Sequence, residues 1–310
     1  MFFKTPASIK QGRKEVLILT HLQQENIIAI RDHFKFRKSI FKSGLAIVME
    51  YCPGGNLQKY LEGLAIRGER TTVERRLSWF KQLASALAFI HHKDFAHRDL
   101  KPENILIGGD GQLKVADVGI AKTLYDHLEA QGSYQEYMET AVGTYPYMAP
   151  EVFNKRYTIS SDVFSMGLVM FVICELPYNP RRTDAKLLPI VQYKGHEDCL
   201  GYFLHSFHGQ IGLLDQNSTK LMNAHAMYCP SDELELFDML QYNHHQRPTA
   251  SKVLEQLKNI EKQRRERRQR EEAERRHREE EALEAERRRR EEAERRRQEE
   301  ESWTWRCCIL

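Results

Sequence analysis

The amino-acid sequence predicts an α+β fold, in which a small region with short strands precedes a larger, mainly helical region and a long charged α-helix. Short apolar runs of the strand type occur at residues 27–30 and 45–49. Apolar side chains at helical spacing follow at residues 77–91 and 161–174. Glu and Arg dominate residues 261–301, and this composition indicates a solvated helix.

The stretch His97–Asn104, H-R-D-L-K-P-E-N, brings a carboxylate, an ammonium group and a carboxamide together on a short loop. Asp99 can accept a proton from an attacking hydroxyl, and Lys101 can neutralise charge on a phosphoryl group in transfer. Asn104 can offer Mg²⁺ a neutral oxygen. Pro102 disfavours helical geometry at the preceding lysine, which keeps the three groups on a loop. This set of side chains is typical of phosphoryl transfer.

All eight positions of this stretch resemble the catalytic loop of eukaryotic protein kinases. Asp117-Val118-Gly119 resembles their D-F-G motif, and residues 143–151 resemble their substrate-docking and A-P-E motifs. The resemblance covers about residues 13–260. It implies a protein-kinase-like bilobal fold with an incomplete N-lobe and a mainly helical C-lobe. It also implies that the γ-phosphoryl group of ATP is transferred to serine or threonine of a protein substrate, with ATP and Mg²⁺ as cofactors.

By the same resemblance, Asp117 would join Asn104 as a ligand of Mg²⁺. Val118 departs from the family, because the usual phenylalanine would pack here against Leu19 and His97. Valine is smaller, so we expect looser packing, by about 1–3 kcal/mol.

Residues 13–24 carry a helical apolar stripe. The resemblance makes Glu15 the helix glutamate that pairs with a phosphate-binding lysine, whereas an ordinary exposed glutamate is the alternative. Lys4 is the candidate lysine, or else a solvated terminal lysine. It lies only 11 residues before Glu15, where the family implies roughly 15 to 20. Gly12 is the only glycine before Gly44, so a glycine-rich loop over the phosphates is missing from this stretch.

Residues 50–55, E-Y-C-P-G-G, break regular structure and by resemblance form the hinge between the lobes. A hinge pairs with adenine through backbone groups, so the identity of its side chains matters little. Met49 would be the gatekeeper in front of the adenine pocket, and plain core packing is the alternative. The positions that the resemblance places around the nucleotide are Met49, Glu50, Cys52, Asn56 near the ribose, and Leu106 under adenine.

The segment from Asp117 to Glu151 is polar and long enough to act as a switch. Thr140 stands where kinases commonly take an activating phosphate, and Arg98 would pair with that phosphate. Thr144 together with Lys101 resembles serine/threonine kinases, since tyrosine kinases differ at both positions.

Two further roles implied by the resemblance are structural. Asp162 would anchor the backbone of the catalytic loop, and Arg247 would form a buried ion pair with Glu151, whose disruption typically costs about 3–5 kcal/mol. We expect residues 178–230 to form a helical insert. Within the kinases, the segments that look most like kinases interacting with PDZ-and-LIM scaffold proteins are residues 82–89, 114–117 and 147–152.

Composition excludes several classes of protein. The sequence has no run of about 18 apolar residues, so no membrane-spanning helix is predicted. Residues 1–10 lack the apolar core of a signal peptide. The six cysteines show neither disulfide-scaffold nor zinc spacing, which indicates the cytoplasm. The net charge of +3 is a near-cancellation in a highly charged chain and gives no indication of a nucleic-acid partner. The oligomeric state is left open.

Residues 261–301 predict a solitary solvated helix, with a weak coiled coil or disorder as alternatives. Its few apolar residues fall off the heptad positions that a coiled coil needs. Six pairs stand at i,i+4 with the acid first, the favourable order, worth about 0.2–0.5 kcal/mol each. They are Glu271–Arg275, Glu272–Arg276, Glu274–Arg278, Glu284–Arg288, Glu291–Arg295 and Glu292–Arg296.

Residues 307–310, C-C-I-L, fit the C-a-a-X motif in its geranylgeranyl variant and resemble the tails of Ral-type small GTPases. Trp303 and Trp305 suit a membrane interface. A geranylgeranyl group on Cys307 would anchor the protein peripherally, with nearby arginines or acylation of Cys308 as the second signal. An accidental apolar tail is the alternative.

The sequence therefore divides into a partial kinase N-lobe (1–50), a hinge and C-lobe (51–260), a charged helix (261–301) and a tail (302–310). We predict a serine/threonine protein kinase. A catalytically impaired scaffold is the alternative, because the glycine-rich loop is missing. A purely structural charged-helix protein would leave the C-lobe motifs unexplained.

Overall fold

The computed structural model describes residues 2–3, 6–39, 42–118, 122–123, 145–154, 156–176, 187–193, 196–209 and 236–307. In chain order its elements are β1 (Phe2–Phe3), α1 (Pro6–His21), β2 (Ile30–Ser39), β3 (Lys42–Met49), α2 (Leu57–Arg67), α3 (Val73–His92), β4 (Phe95–Ala96), β5 (Ile105–Ile107), β6 (Leu113–Val115), β7 (Lys122–Thr123), α4 (Ile159–Glu175), β8 (Ile190–Tyr193), β9 (His196–Cys199), α5 (Leu200–Ser206), α6 (Leu236–Met239) and α7 (Ala250–Cys307). The chain divides into two compact units, residues 1–258 and 259–310.

The N-terminal region is an antiparallel sheet in the order β1-β3-β2 with helix α1 on one face. Ile9 and Val16 of α1 pack against the buried Leu45 and Ile47 of β3. The helix begins at Pro6, earlier than the predicted residue 13, because Pro suits a first helical turn and Ile9 extends the apolar stripe.

The strand predicted at residues 27–30 is wrong except at its last residue, since β2 begins at Ile30. Ile27 and Ile28 are instead consecutive buried residues in a connecting segment. The backbone N–H of Ile28 donates to the Val115 carbonyl at 2.9 Å. Because Ile27 and Ile28 are both buried, their side chains do not alternate between core and solvent as in a half-buried strand. The segment instead connects the N-terminal sheet to β6.

Helix α3, predicted by the apolar spacing of residues 77–91, leads towards the loop that contains residues 97–104. Thr72 caps its N-terminus, with Oγ1 accepting from the backbone N–H of Arg75 at 3.2 Å. Trp79 is buried and donates its indole N–H to the Gly111 carbonyl at 3.0 Å. This bond ties α3 to the turn that follows β5, so the helix and the β5–β6 hairpin hold the loop between them.

Helix α4 is the central helix of the larger region. Every residue from Ser161 to Cys174 is buried, as expected of a helix that crosses the interior of a domain. The few strands of the N-terminal region and the mainly helical remainder confirm the predicted α+β fold class.

The helical insert predicted at residues 178–230 is wrong in part. Strands β8 and β9 form an antiparallel hairpin in which Tyr193 pairs with His196, and only α5 follows as a helix in the described residues. Ile190, Val191 and Tyr193 favour a strand, and the two-residue connection contains a glycine.

Helix α7 runs without interruption for 58 residues. Its first turns bury Ala250, Val253 and Leu257, whereas the side chains from 265 to 298 are exposed. A helical charged segment is therefore observed, and the choice between a solitary helix and a coiled coil stays a prediction. The helix continues to Cys307, and the division at residue 302 into a charged helix and a tail stays a prediction.

The ion pairs along α7 follow both orders of charge. Among the predicted pairs, Glu272–Arg276 and Glu284–Arg288 lie at 2.7 Å and 3.8 Å. Glu271 and Glu291 instead pair with the preceding Arg267 and Arg287, at 3.3 Å and 3.6 Å. Each of these acids has an arginine at both i−4 and i+4, and exposed pairs differ by only a few tenths of a kcal/mol. Side-chain rotamers therefore decide between the two orders.

Candidate active site

The backbone of the loop before Asp99 is held by one buried carboxylate. Asp162 on α4 accepts hydrogen bonds from the backbone N–H groups of His97 and Arg98, at 2.8 Å and 2.9 Å. Arg98 has a φ of +72°, a left-handed conformation that costs a non-glycine residue free energy. These two bonds hold the strained turn in place, as the predicted anchoring role of Asp162 requires.

Two residues that sequence reasoning missed complete this arrangement. His91, at the end of α3, contacts Asp162 through Nε2 at 2.9 Å, and the Tyr157 hydroxyl donates to the same carboxylate. Burial acts to raise the pKa of Asp162, but the hydrogen bond and charge of His91 outweigh it and the pKa is lowered. The sequence gives no signal for either contact, since their partner lies 71 and 5 residues away with no shared motif.

The three predicted catalytic side chains meet at one oxygen atom. Asp99 Oδ2 lies 2.9 Å from Lys101 Nζ and accepts from Asn104 Nδ2 at 2.8 Å. Asn104 also donates to the Asp99 carbonyl at 2.8 Å, so both of its amide hydrogens are used. All three side chains are at least half-buried. The orientation of the Asp99 carboxylate is therefore fixed by two donors on its own loop.

Asp117 approaches this cluster from the strand side. The backbone N–H of Ala116 donates to the Asn104 carbonyl at 2.8 Å, and His97 Nε2 contacts the Ala116 carbonyl at 3.0 Å. Asp117 itself has a φ of +59°. Burial raises its pKa, and the Asp99 carboxylate raises it further against the charges of His97 and Lys101. Two carboxylates thus share one partly desolvated site.

The donor set fits Mg²⁺ when phosphates complete its coordination. Asn104 turns its NH₂ group toward Asp99, and no hydrogen bond to its Oδ1 occurs within the described residues. Oδ1 and the Asp117 carboxylate are hard oxygen donors of the kind this cation prefers. Among the described residues no group of three or more His, Cys, Asp or Glu could hold a metal ion. Mg²⁺ is usually bound by one or two carboxylates together with substrate phosphates, and Asn104 and Asp117 would supply the protein's share of these ligands.

Glu15 on α1 points into the interior rather than to solvent, so the interpretation as an ordinary exposed glutamate is wrong. It is 3 % exposed. Burial and then the Asp117 carboxylate raise the pKa of Glu15 from 4.5 to about 7. No cation within the described residues forms an ion pair with it, and the candidate Lys4 lies outside those residues.

We expect Glu15→Gln to stabilise the protein at pH 8 and to have little effect at pH 5. The folded state holds the Glu15 proton up to about pH 7, while the unfolded chain releases it near pH 4.5. The folded state is therefore destabilised as the pH rises through this window. A pKa shift of this size lowers the free energy of unfolding by at most about 3 kcal/mol.

Urea denaturation at the two pH values measures the difference in free energy of unfolding between wild type and Glu15→Gln. Exposed Glu25→Gln is the matched control and should have the free energy of unfolding of wild type at both pH values. A stability difference that does not change with pH would contradict the predicted titration.

The predicted nucleotide positions at the hinge are brought together at the end of β3. Residues 50–55 have no regular structure, as predicted. Met49 is half-buried and packs against the cluster of Leu45 and Ile47, which supports core packing for at least part of its side chain. The Glu50 carboxylate accepts from the backbone N–H of Ala29 at 2.8 Å and pairs with Lys114 at 3.3 Å, contacts that sequence reasoning did not find.

The remaining hinge positions lie across from β5. The Asn56 side chain caps α2, with Oδ1 accepting from the backbone N–H of Lys59 at 2.9 Å, while its backbone bridges to Leu106. Leu106 is half-buried between the buried Ile105 and Ile107, so its side chain points to the opposite face of the hairpin. Burial and then the Glu50 carboxylate raise the pKa of the Cys52 thiol.

The predicted regulatory positions are only partly described. The Arg98 guanidinium lies over the Tyr157 ring, 5.4 Å from its centroid. Thr140 and Thr144 lie outside the described residues, as does Cys308. Val118 is fully buried, as are its predicted neighbours Leu19 and His97.

The predicted ion pair between Glu151 and Arg247 is present and bidentate. Arg247 donates from Nη1 and Nη2 to the two carboxylate oxygens at 2.7 Å and 2.8 Å. Ser161 adds a third donor to Glu151 at 2.7 Å. Burial acts to raise the pKa of Glu151, but its bonds with Arg247 lower it overall. The guanidinium also lies 4.8 Å from the Phe164 ring centroid, which joins the pair to the central helix.

Comparison with known proteins agrees with this geometry. The family described as Protein kinase domain matches residues 4–257. The chain therefore belongs to the protein kinase domain family.

Its relatives include enzymes named as serine/threonine kinases. The chain is 33 % identical over 170 residues to serine/threonine-protein kinase Nek1 of Mus musculus, covering 54 % of this chain and 13 % of that protein. It is 33 % identical over 196 residues to serine/threonine-protein kinase Nek5 of Homo sapiens, covering 62 % and 26 %. It is 37 % identical over 173 residues to CBL-interacting protein kinase 16 of Oryza sativa subsp. japonica, covering 55 % and 34 %. The chain thus spans between 13 % and 34 % of the length of these relatives.

Proposed function

We propose that this chain is a serine/threonine protein kinase that transfers the γ-phosphoryl group of ATP to protein hydroxyls. The observation that carries the proposal is the convergence of Lys101 Nζ and Asn104 Nδ2 on Asp99 Oδ2, both within 2.9 Å. Its relatives are named as serine/threonine kinases, and Thr144 with Lys101 is the pair that resembles that class.

In the proposed reaction a substrate hydroxyl oxygen forms a bond to the γ-phosphorus while the bond from that phosphorus to the bridging oxygen of ADP breaks. Asp99 takes the proton that the hydroxyl gives up. Lys101, held beside the carboxylate, offsets negative charge on the phosphoryl oxygens. Asn104 and Asp117 would hold Mg²⁺, which when bound neutralises phosphate charge.

We expect Asp117→Asn to abolish Mg²⁺-dependent phosphorylation of a serine- and threonine-containing peptide library, by about 10³-fold or more. The amide keeps the size of the side chain but removes the charge that would bind the cation. Asp32→Asn, an exposed carboxylate on β2, is the matched control. Full activity of Asp117→Asn at the wild-type Mg²⁺ concentration would overturn the proposal.

A non-catalytic scaffold is the second candidate. The observation that favours it is that Gly12, the only glycine before Gly44, lies within helix α1, so no glycine-rich loop occurs among the described residues before Gly44. Calorimetric titration with ATP and Mg²⁺ separates the two candidates. Measurable binding supports the kinase, and the absence of binding supports the scaffold.

Further roles follow from the proposed kinase activity. We infer that backbone groups of Glu50 and Cys52 contact adenine, with Met49, Asn56 and Leu106 around it. Glu15 would pair with Lys4 or another lysine. A phosphate on Thr140 would be bound by Arg98. The resemblance to kinases that interact with PDZ-and-LIM scaffold proteins stays a prediction.

Prenylation of Cys307 is proposed from the C-C-I-L sequence alone. Within the described ranges, no helix combines the length and the apolar character needed to cross a bilayer. If the motif is used, Cys307→Ser should move most of the protein from the membrane fraction of eukaryotic cells to the soluble fraction. Cys199→Ser is the matched control, and unchanged partitioning of Cys307→Ser would contradict the motif.

A further inference from the structure

The N-terminal region carries a concentration of positive charge that phosphoryl transfer does not use. Residues 6–39 contain seven Lys or Arg against three Asp or Glu, in a chain whose net charge is only +3. Five of these seven side chains lie, together with His33, on two neighbouring elements, and we call this set of six the cationic face. They are Lys10, Arg13 and Lys14 on α1, and His33, Lys35 and Arg37 on β2.

On α1 the cations form a single stripe opposite the core. At 100° per residue, Lys10, Arg13, Lys14 and Leu17 fall within about 100° of the helix circumference. All four are exposed, whereas Leu19 on the far side of the helix is buried. Leu17 is 63 % exposed, so the centre of the stripe is an apolar side chain surrounded by cations.

On β2 the cations lie on the side of the sheet that α1 covers. The register pairs His33 with Ile47 and Lys35 with Leu45, and directly opposed residues share a face. Leu45 and Ile47 are the residues against which α1 packs. The exposed His33, Lys35 and Arg37 therefore flank the helix, spaced about 7 Å apart along the strand.

In the part of the chain that the structure describes, the cationic face is not paired with the acids of its own region. Within the described residues none of the six side chains forms an ion pair, in contrast to the arginines of α7. The acids of the same stretch lie elsewhere. Glu15 is buried, Asp32 belongs to the opposite face of the sheet by strand alternation, and Glu25 follows the end of α1.

We propose that the cationic face binds the anionic headgroups of a lipid surface. Long Lys and Arg side chains bind diffuse negative charge without a fixed spacing, and an exposed leucine among them can enter the headgroup boundary. An acidic protein would have to match cations that are spread over a helix and a neighbouring strand with its own fixed carboxylates. A membrane makes no such demand, so charge complementarity favours it.

The test uses the full-length chain carrying Cys307→Ser, so that lipid attachment cannot contribute. Co-sedimentation is measured with phosphatidylcholine vesicles and with vesicles containing about 30 % phosphatidylserine. We expect binding only to the anionic vesicles, with strong weakening at high salt. Removing four cations in Lys10→Ala/Lys14→Ala/Lys35→Ala/Arg37→Ala should lower the partition coefficient at least a hundredfold, at roughly fivefold per cation.

The matched control removes the same charge from α7, as Arg270→Ala/Arg278→Ala/Arg289→Ala/Arg297→Ala, and should bind like the parent chain. Leu17→Gln, which keeps every charge, should weaken binding by about tenfold. It serves as the test if the quadruple variant of the cationic face does not fold. Equal binding by the parent and the variants of the cationic face, or no binding to anionic vesicles, overturns the proposal. Binding to a polyglutamate peptide but not to vesicles would assign this face to an acidic protein instead.

Discussion

Replacing Asp99 by Asn should lower the turnover rate of phosphoryl transfer by about 10²–10⁴-fold, the usual contribution of a general base. Asparagine has the same shape and can still accept from Asn104, so the loop should keep its conformation. It cannot take up the proton of the attacking hydroxyl. It also leaves Lys101 without the carboxylate that lies 2.9 Å from its Nζ.

The measurement is the steady-state phosphorylation of a peptide substrate at saturating ATP and Mg²⁺, together with the melting temperature of each variant. Asp94→Asn is a close control, because Asp94 is exposed, precedes the same loop and has a φ of +58° that asparagine also adopts. Its activity should equal that of wild type. An Asp99→Asn protein with undiminished turnover would show that Asp99 is not the base.

Replacing Arg247 by Ala should destabilise the protein by about 3–5 kcal/mol, which is large against the total stability of a domain. The Glu151 carboxylate would remain buried and lose its two Arg247 donors at 2.7 Å and 2.8 Å, keeping the Ser161 donor. The Gln241 carbonyl would also lose the N–H of Arg247 Nε at 2.7 Å. The loss comes mainly from the charge left behind.

Urea denaturation gives the free energy of unfolding, and Arg67→Ala is the control. Arg67 pairs with Glu69 at a similar distance of 2.9 Å, but both side chains are 54 % exposed. Its removal should cost no more than about 1 kcal/mol. Should Arg247→Ala be so unstable that it does not purify, Arg247→Lys keeps one donor and should fall between the two. Equal losses for Arg247→Ala and Arg67→Ala would contradict the role of burial.

The convergence of the candidate catalytic side chains was predictable because they are close together in the sequence. Asp99, Lys101 and Asn104 lie within six residues, and Pro102 begins the short 3₁₀ turn that ends at Asn104. The ion pair of Glu151 and Arg247, 96 residues apart, followed only from the resemblance, since nothing in the residues themselves links them.

The features that the sequence did not predict depend on alternatives of nearly equal free energy or on partners that are distant in the sequence. The pairing of Glu271 with Arg267 rather than Arg275 reflects two exposed geometries of similar energy. Ile27 and Ile28 have the composition of a strand, yet both side chains are buried and their backbone pairs with Val115 only as an isolated bridge. The hairpin of β8 and β9 was missed because its strands are only four residues long. No local pattern indicates that His91 contacts Asp162.

The four donors gathered on Asp162 have a consequence for how the protein opens. His91 ends α3, His97 and Arg98 belong to the loop, and Tyr157 precedes the helix that carries the carboxylate. Breaking one of these contacts exposes a buried charge that the other three no longer fully satisfy. The loop and its two supporting helices should therefore unfold as one cooperative unit, so that amide hydrogens of His97 and Arg98 exchange with solvent only through rare, large-scale opening.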